Sequence, residues 1–212
     1  SPQVYILWII LAVIAVFALV SIAWRVASRY WSLPCPSLFG RSLEGSLADW
    51  LAGTQRTLEE LRLAPGQTIL EIGPGPGRLL IPASFRVLPG GRAIGVDIQY
   101  KMIDRLRKRA DAAGATNLTT LVGDAAALKL PSQSVDLVFM CTVLGEIPDR
   151  AAALAECHRV LKPGGALAIT EIMGDPHYQT RSKAQRLAEQ AGFELKLIES
   201  GWRSYTARFR KA

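Results

Sequence analysis

Four carboxylates, Glu71, Asp97, Asp124 and Glu146, stand at or just beyond the ends of short apolar runs, where a side chain can face a ligand. Glu71 opens the stretch Glu71-Ile72-Gly73-Pro74-Gly75-Pro76-Gly77-Arg78. Alternate glycines permit a tight turn and let a ligand approach the backbone closely. A dinucleotide loop needs Gly-x-Gly-x-x-Gly, with the pyrophosphate resting on the next helix N-terminus. Here the third glycine arrives one residue early and Arg78 stands where that loop needs glycine, so the spacing leans away from a dinucleotide. Asp97 follows the loop by about 20 residues, where a carboxylate can accept bonds from ribose hydroxyls. Asp97 and Asp124, the latter in Gly123-Asp124-Ala125, also read as ordinary turn residues.

Proton transfer needs a base within reach, and Glu146, in Cys141-Thr142-Val143-Leu144-Gly145-Glu146, is the first candidate. It reads equally as an acid at the start of the helix after Pro148-Asp149. His177 and Tyr178, in Met173-Gly174-Asp175-Pro176-His177-Tyr178, are candidates to position or deprotonate an acceptor, with a structural loop role the other reading. The remaining histidine, His158, reads as structural. With two histidines, and Cys35, Cys141 and Cys157 forming no Cys-x-x-Cys pair, neither a disulfide framework nor a metal cluster is expected.

The elements that position these residues alternate. Thr68–Ile72, Arg92–Asp97, Leu118–Val122, Val135–Met140 and Ala166–Glu171 read as buried strands. Helical stretches lie near Arg78–Val87, Tyr100–Ala113, Arg150–Leu161 and Thr180–Ala191. Such alternation predicts an α/β fold with a doubly wound, mostly parallel sheet. Glu194–Glu199 and Arg203–Arg210 are separated by only a short turn, so they form a hairpin and the last strand is antiparallel. The ligand candidates then sit at the carboxyl ends of strands, the edge where open α/β sheets bind ligands.

Before this domain, Val4–Trp24 carries no charged side chain. At about 1.5 Å per residue that length crosses a hydrocarbon core of roughly 30 Å. Tyr5, Trp8 and Trp24 lie toward its ends, where amphipathic rings favour the interface. Arg25, Arg29 and Arg41 follow it and no basic residue precedes it, which places the remainder on the cytoplasmic side of a single-pass protein. The expected organisation is a transmembrane anchor over 1–25, a juxtamembrane linker with an interfacial helix over 26–57, and one α/β domain over 58–212. The net charge of +7 suits an anionic membrane surface. The basic run Lys101–Arg109 reads as a solvated helix face or a docking face for lipid headgroups. Nucleic acid is not the expected partner, because no recognition module accompanies the charge.

In combination, several segments resemble class I S-adenosylmethionine-dependent methyltransferases, and among them the group of ubiquinone-biosynthesis methyltransferases (methyltransferase type 11). ILEIGPGPGR is similar to the family's first motif, VDIQYKM to its second, VGDAAALKLPSQSVDLVF to its third and fourth, and RVLKPGGALAITE to its helix-turn-strand signature. The resemblance covers roughly Leu58–Lys211. It implies a Rossmann-like seven-stranded sheet and S-adenosylmethionine as cofactor, with S-adenosylhomocysteine as product. By the same resemblance Glu71, Gly73, Gly75 and Gly77 hold the methionine moiety, Asp97 the ribose, and Asp124 lies beside the adenine. Ile98, Ala125 and Cys141 complete the cofactor-binding set. Where many relatives carry paired histidines after the fourth strand, this chain has Gly145-Glu146, which puts transfer of a particular substrate in doubt.

The expected function is a membrane-anchored methyltransferase acting on a lipid or lipophilic small molecule, such as a phospholipid amine or a quinone precursor. The alternatives are a small lipophilic thiol or metalloid as acceptor, and a non-catalytic, cofactor-binding module tethered to the membrane.

Overall fold

The computed structural model describes residues 53–212, together with scattered positions between 5 and 27. Those scattered positions are helical, and Tyr5, Trp8, Ile9, Leu11, Val13, Val16, Leu19 and Val20 among them are exposed. No helix among the described residues is long and apolar enough to cross a membrane. About half of the expected span Val4–Trp24 and most of the expected linker over 26–57 lie outside the described residues.

The described chain runs α1 (Thr54–Glu60), β1 (Thr68–Ile72), α2 (Leu80–Arg86), β2 (Arg92–Asp97), α3 (Tyr100–Ala113), β3 (Leu118–Val122), β4 (Val135–Cys141), α4 (Arg150–Val160), β5 (Leu161–Ile172), α5 (Arg181–Gln190), β6 (Phe193–Ser200) and β7 (Ser204–Lys211). The seven strands form one sheet in the order β3-β2-β1-β4-β5-β7-β6. Strands β1 to β5 pair in parallel, and β7 inserts antiparallel between β5 and β6. The sequence order of the first five strands reverses direction at β1, between β2 and β4, so the crevice of an open sheet falls there.

Side chains alternate across this sheet, and the alternation divides the core in two. Ile69, Leu137, Phe139, Cys141 and Ala168 pack with Leu58 of α1, Leu80 and Ala83 of α2, and Ile103, Leu106 and Ala110 of α3. Leu70, Ile72, Val138, Met140, Leu167 and Ile169 pack on the other face with Leu154 and Cys157 of α4 and Ala184 and Ala188 of α5. Burying each such aliphatic side chain contributes about 1.5–3 kcal/mol against the entropy of ordering the chain. On α3, Met102, Ile103, Leu106 and Ala110 turn inward, so Lys101, Arg107 and Lys108 of the basic run lie on the exposed face.

Three boundaries differ by more than one residue from those expected. Helix α2 starts at Leu80 rather than Arg78, because Gly73, Gly75 and Gly77 all take positive φ and prolong the loop. Strand β5 starts at Leu161 rather than Ala166, since Leu161 pairs with Val135 ahead of the turn at Gly164-Gly165. Helix α1 straddles residue 58, the expected start of the domain, and Leu58 and Leu61 are fully buried.

Candidate functional site

At the carboxyl ends of β1, β2, β3 and β4 the loops enclose a cavity of about 250 Å³. The wall comes from Glu71–Pro76, Arg78 and Leu79 after β1, Val96–Gln99 and Met102 at β2, Gly123–Ala125 after β3, and Cys141–Val143 with Glu146–Pro148 after β4. Of the expected cofactor residues, Glu71, Gly73, Gly75, Asp97, Ile98, Asp124, Ala125 and Cys141 line it, and Gly77 does not. At φ +86°, Gly77 instead lies against α3: a Cβ there would sit 2.4 Å from Leu106 Cδ1. That close approach seats the loop on the helix.

Asp97 ends β2 at 8% exposure, with both carboxylate oxygens engaged by backbone. Oδ1 accepts from the Gln99 N–H at 2.8 Å and Oδ2 from the Gly75 N–H at 3.3 Å. Burial raises its pKa above the ordinary carboxylate value, and these two donors partly offset the rise. Glu71, on the neighbouring strand, is 3% exposed and its Oε2 has no hydrogen-bond partner. Burial pushes its pKa up to about 8, against the nearby Arg78 guanidinium, with Asp97 adding a smaller push upward. A buried carboxylate oxygen with no donor is costly unless a ligand supplies one.

Asp124 is exposed and caps the 3₁₀ turn Ala125–Ala127, its Oδ1 accepting from Ala126 N–H at 2.9 Å. Beyond Cys141, Thr142 adopts φ 56°, a left-handed backbone for a β-branched residue. Strain of that kind costs on the order of 1–3 kcal/mol and gathers at ligand sites.

Glu146 lines the cavity, as a base would have to. Its loop is stitched down by Arg150, which donates to the carbonyls of Leu144 and Gly145 at 2.9 and 2.7 Å. His177 and Tyr178 are not brought to the cavity wall. His177 is 7% exposed, its N–H donates to Asp175 Oδ1, and its carbonyl accepts from Gln179 Nε2. Tyr178 packs edge-on against Tyr205, with ring centroids 6.1 Å apart. His158 packs edge-on against Phe193, in line with its structural reading. Residues not singled out from sequence also line the cavity, notably Gln99, Met102, Val143 and Ile147. Their positions relative to the loop offered the only signal, since apolar and amide side chains carry no motif of their own.

A family model described as a methyltransferase domain matches residues 70–169. The chain is 35% identical over 159 residues to the ubiquinone/menaquinone biosynthesis C-methyltransferase UbiE of Cereibacter sphaeroides, covering 72% of this chain and 58% of that protein. It is 32% identical over 127 residues to a demethylmenaquinone methyltransferase of Symbiobacterium thermophilum, covering 59% of this chain and 51% of the relative. An arsenite methyltransferase of Halobacterium salinarum is 32% identical over 111 residues, 52% of this chain and 28% of the relative. The chain thus spans little more than half, or less, of these curated relatives' lengths. In structure it matches a SAM-dependent methyltransferase from Aquifex aeolicus with a TM-score of 0.79 at 23% identity, over 84% of this chain and 100% of the other, a likeness of fold.

Over residues 70–169 the chain thus matches a methyltransferase domain, its fold is that of S-adenosylmethionine-dependent methyltransferases, and S-adenosylmethionine is the cofactor that these likenesses support. The cavity fits that group: it offers a buried carboxylate oxygen without a donor, a fixed carboxylate at the end of β2, and an apolar wall that includes Val96, Ile98 and Met102.

Proposed function

We propose that this protein is a single-pass, membrane-anchored methyltransferase that methylates a lipid or lipophilic small molecule, a quinone precursor or a phospholipid amine, on the cytoplasmic side. One observation carries the reading: a cavity walled by Glu71, Asp97 and Glu146 in a domain that follows the uncharged run Val4–Trp24. The exposure of the described apolar positions in that run supports the anchor, since bare apolar helix surface calls for a nonaqueous neighbour. A tether concentrates the enzyme where a lipophilic acceptor resides. The similarity to two methyltransferases named for quinones favours a quinone precursor as the first acceptor to try.

When bound, the cofactor supplies an electrophilic methyl group on a sulfonium. The protein's part is to bind, orient and keep the pocket dry, and holding reactants in attack geometry contributes roughly 7–11 kcal/mol. In this reading Glu71 accepts from the amino-acid ammonium, Asp97 from the ribose hydroxyls, and Asp124 with Ile98 flanks the adenine. Glu146 takes the acceptor's proton on its carboxylate. Among the described residues, burial pushes the Cys141 and Cys157 thiols up to about 11 and 12, so neither offers a thiolate to a metalloid acceptor.

The test supplies the full chain, reconstituted in vesicles, with either a demethylated quinone or phosphatidylethanolamine. A methylated quinone or a methylated headgroup, absent with Asp97→Ala, supports the reading. Methylation of water-soluble thiols alone contradicts it.

A further inference from the structure

The turn between β6 and β7, Gly201-Trp202-Arg203, lies at the carboxyl edge of the sheet, the edge that holds the cavity mouth. Trp202 is 85% exposed, the most exposed of the described large apolar side chains. Met173, in the turn after β5, is exposed beside it, and its N–H donates to the Arg203 carbonyl at 2.6 Å. The Arg203 guanidinium sits 5.0 Å from the centre of the Trp202 ring. This tip is held in place, because the Gly201 N–H donates to the Ser204 carbonyl at 2.7 Å and Ser204 pairs with Ile172 of β5. Ile98 and Tyr100, just beyond β2, are exposed on the same edge.

The chain also enters the domain at this edge. The hydroxyl of Thr54, the first residue of α1, accepts from Arg78 Nη1 in the loop after β1 at 2.7 Å, and Arg78 Nη2 reaches the Cys141 sulfur on the cavity wall at 3.4 Å. Arg56 of α1, about half exposed, lies against the tip: a Cβ on Gly201 would sit 2.5 Å from its Nη1. Only β5 separates β4 from β7, so the tip stands about 10 Å along the edge from β4, at roughly 4.8 Å per strand.

An indole beside guanidinium groups suits a membrane–water interface. The ring favours the headgroup level, and arginines meet anionic headgroups while their stems lie along apolar surface. Trp202 and Met173 offer too little apolar area for a stable protein interface, which needs roughly 800 Å² per partner. A bilayer asks only for shallow insertion by a domain already tethered.

We infer that the Trp202 tip, with Met173, Arg203 and Arg56, is a second membrane contact that turns the cavity mouth toward the bilayer surface. This rests on the anchored reading above and adds an orientation to it: a lipophilic acceptor then reaches the cavity from the bilayer without crossing water.

The experiment uses Trp202 as its own reporter. The other tryptophans, Trp8, Trp24, Trp31 and Trp50, all precede the described domain, so replacing them with phenylalanine leaves Trp202 alone in the full chain. That chain is reconstituted in phosphatidylcholine–phosphatidylglycerol vesicles, with or without acyl chains brominated near the headgroup. Bromine is expected to quench most of the Trp202 emission. A companion chain carrying Trp202→Phe and Leu88→Trp moves the reporter to the opposite edge, where exposed Leu88 precedes β2, and is expected to stay bright. Equal quenching at both edges overturns the orientation. An unquenched Trp202, whether in water or covered by a second copy of the chain, overturns the contact. Flotation of the same vesicles separates the two readings. A chain that floats with Trp202 unquenched refutes the tip alone, and a chain that does not float refutes anchor and tip together.

Discussion

The N–H of Gly75 donates to Oδ2 of Asp97 at 3.3 Å, so the loop after β1 is fastened to the end of β2 by the residue proposed to hold the ribose. Gln99 holds the other oxygen at 2.8 Å. Asp97 therefore shapes the loop as well as lining the cavity. Asp97→Ala should weaken binding of S-adenosylmethionine by about tenfold to a hundredfold, since charged hydrogen bonds contribute roughly 1.5–3 kcal/mol. Asp97→Asn, which keeps one acceptor oxygen, should lose less. Titration calorimetry on the two variants checks the order.

Gly145 packs beneath the segment after β5. A Cβ there would meet the His177 carbonyl at 1.9 Å and Gln179 Nε2 at 2.7 Å. Since the carbonyl belongs to the backbone, it cannot swing aside. Gly145→Ala should destabilise the domain by about 1–3 kcal/mol, the usual range for overpacking, seen as a lowered thermal midpoint. Glu146 is the adjoining residue, so turnover should fall further than cofactor affinity.

Glu71 is pushed up to about 8 by burial, so it is mostly protonated at neutral pH without ligand. If it accepts from the ligand ammonium, binding must ionise it. Near pH 7, binding of S-adenosylmethionine should release up to about one proton. Calorimetry in buffers of differing ionisation enthalpy measures that release, and Glu71→Gln should remove it. A wild-type value of zero counts against the role.

Glu171, at the end of β5, is likewise pushed up to about 8, chiefly by burial, and its Oε1 has no partner. Its Oε2 accepts from the Gln179 N–H at 3.2 Å. For a carboxyl whose folded pKa lies above its unfolded one, the folded state holds the extra proton. Its stability contribution is complete below the unfolded value near 4.5 and is lost as pH rises toward 8. Urea unfolding of the ligand-free protein should show stability falling between pH 6 and pH 8.5, pH values chosen at roughly the upper part of that window. Glu171→Gln should flatten the fall, and a rise in wild-type stability over the same interval contradicts the assignment.

The alternation of apolar runs and amphipathic stretches makes the sheet readable from the sequence. Val135–Met140 is continuous and apolar apart from Asp136, as a strand buried on both faces must be. The antiparallel hairpin was legible because Glu199 and Arg203 leave no room for a crossover helix. What sequence could not show is long-range contact. The reach of Arg78 to Cys141 depends on two distant strands lying side by side. His177 and Tyr178 follow a site-forming strand, yet hydrogen bonds local to Asp175–Gln179 and the Tyr205 hydroxyl on the Gln179 carbonyl turn that segment inward. Gly77 belongs to the loop pattern, but its neighbour is Leu106.

The most direct measurement of the central claim is label transfer. The full chain, in membranes of native lipid, is incubated with S-adenosylmethionine carrying a labelled methyl group, and label is counted in the organic, aqueous and protein fractions. Label is expected in the organic fraction and is expected to disappear with Asp97→Ala. Transfer confined to the aqueous or protein fraction, or none in any fraction despite confirmed cofactor binding, would contradict that claim.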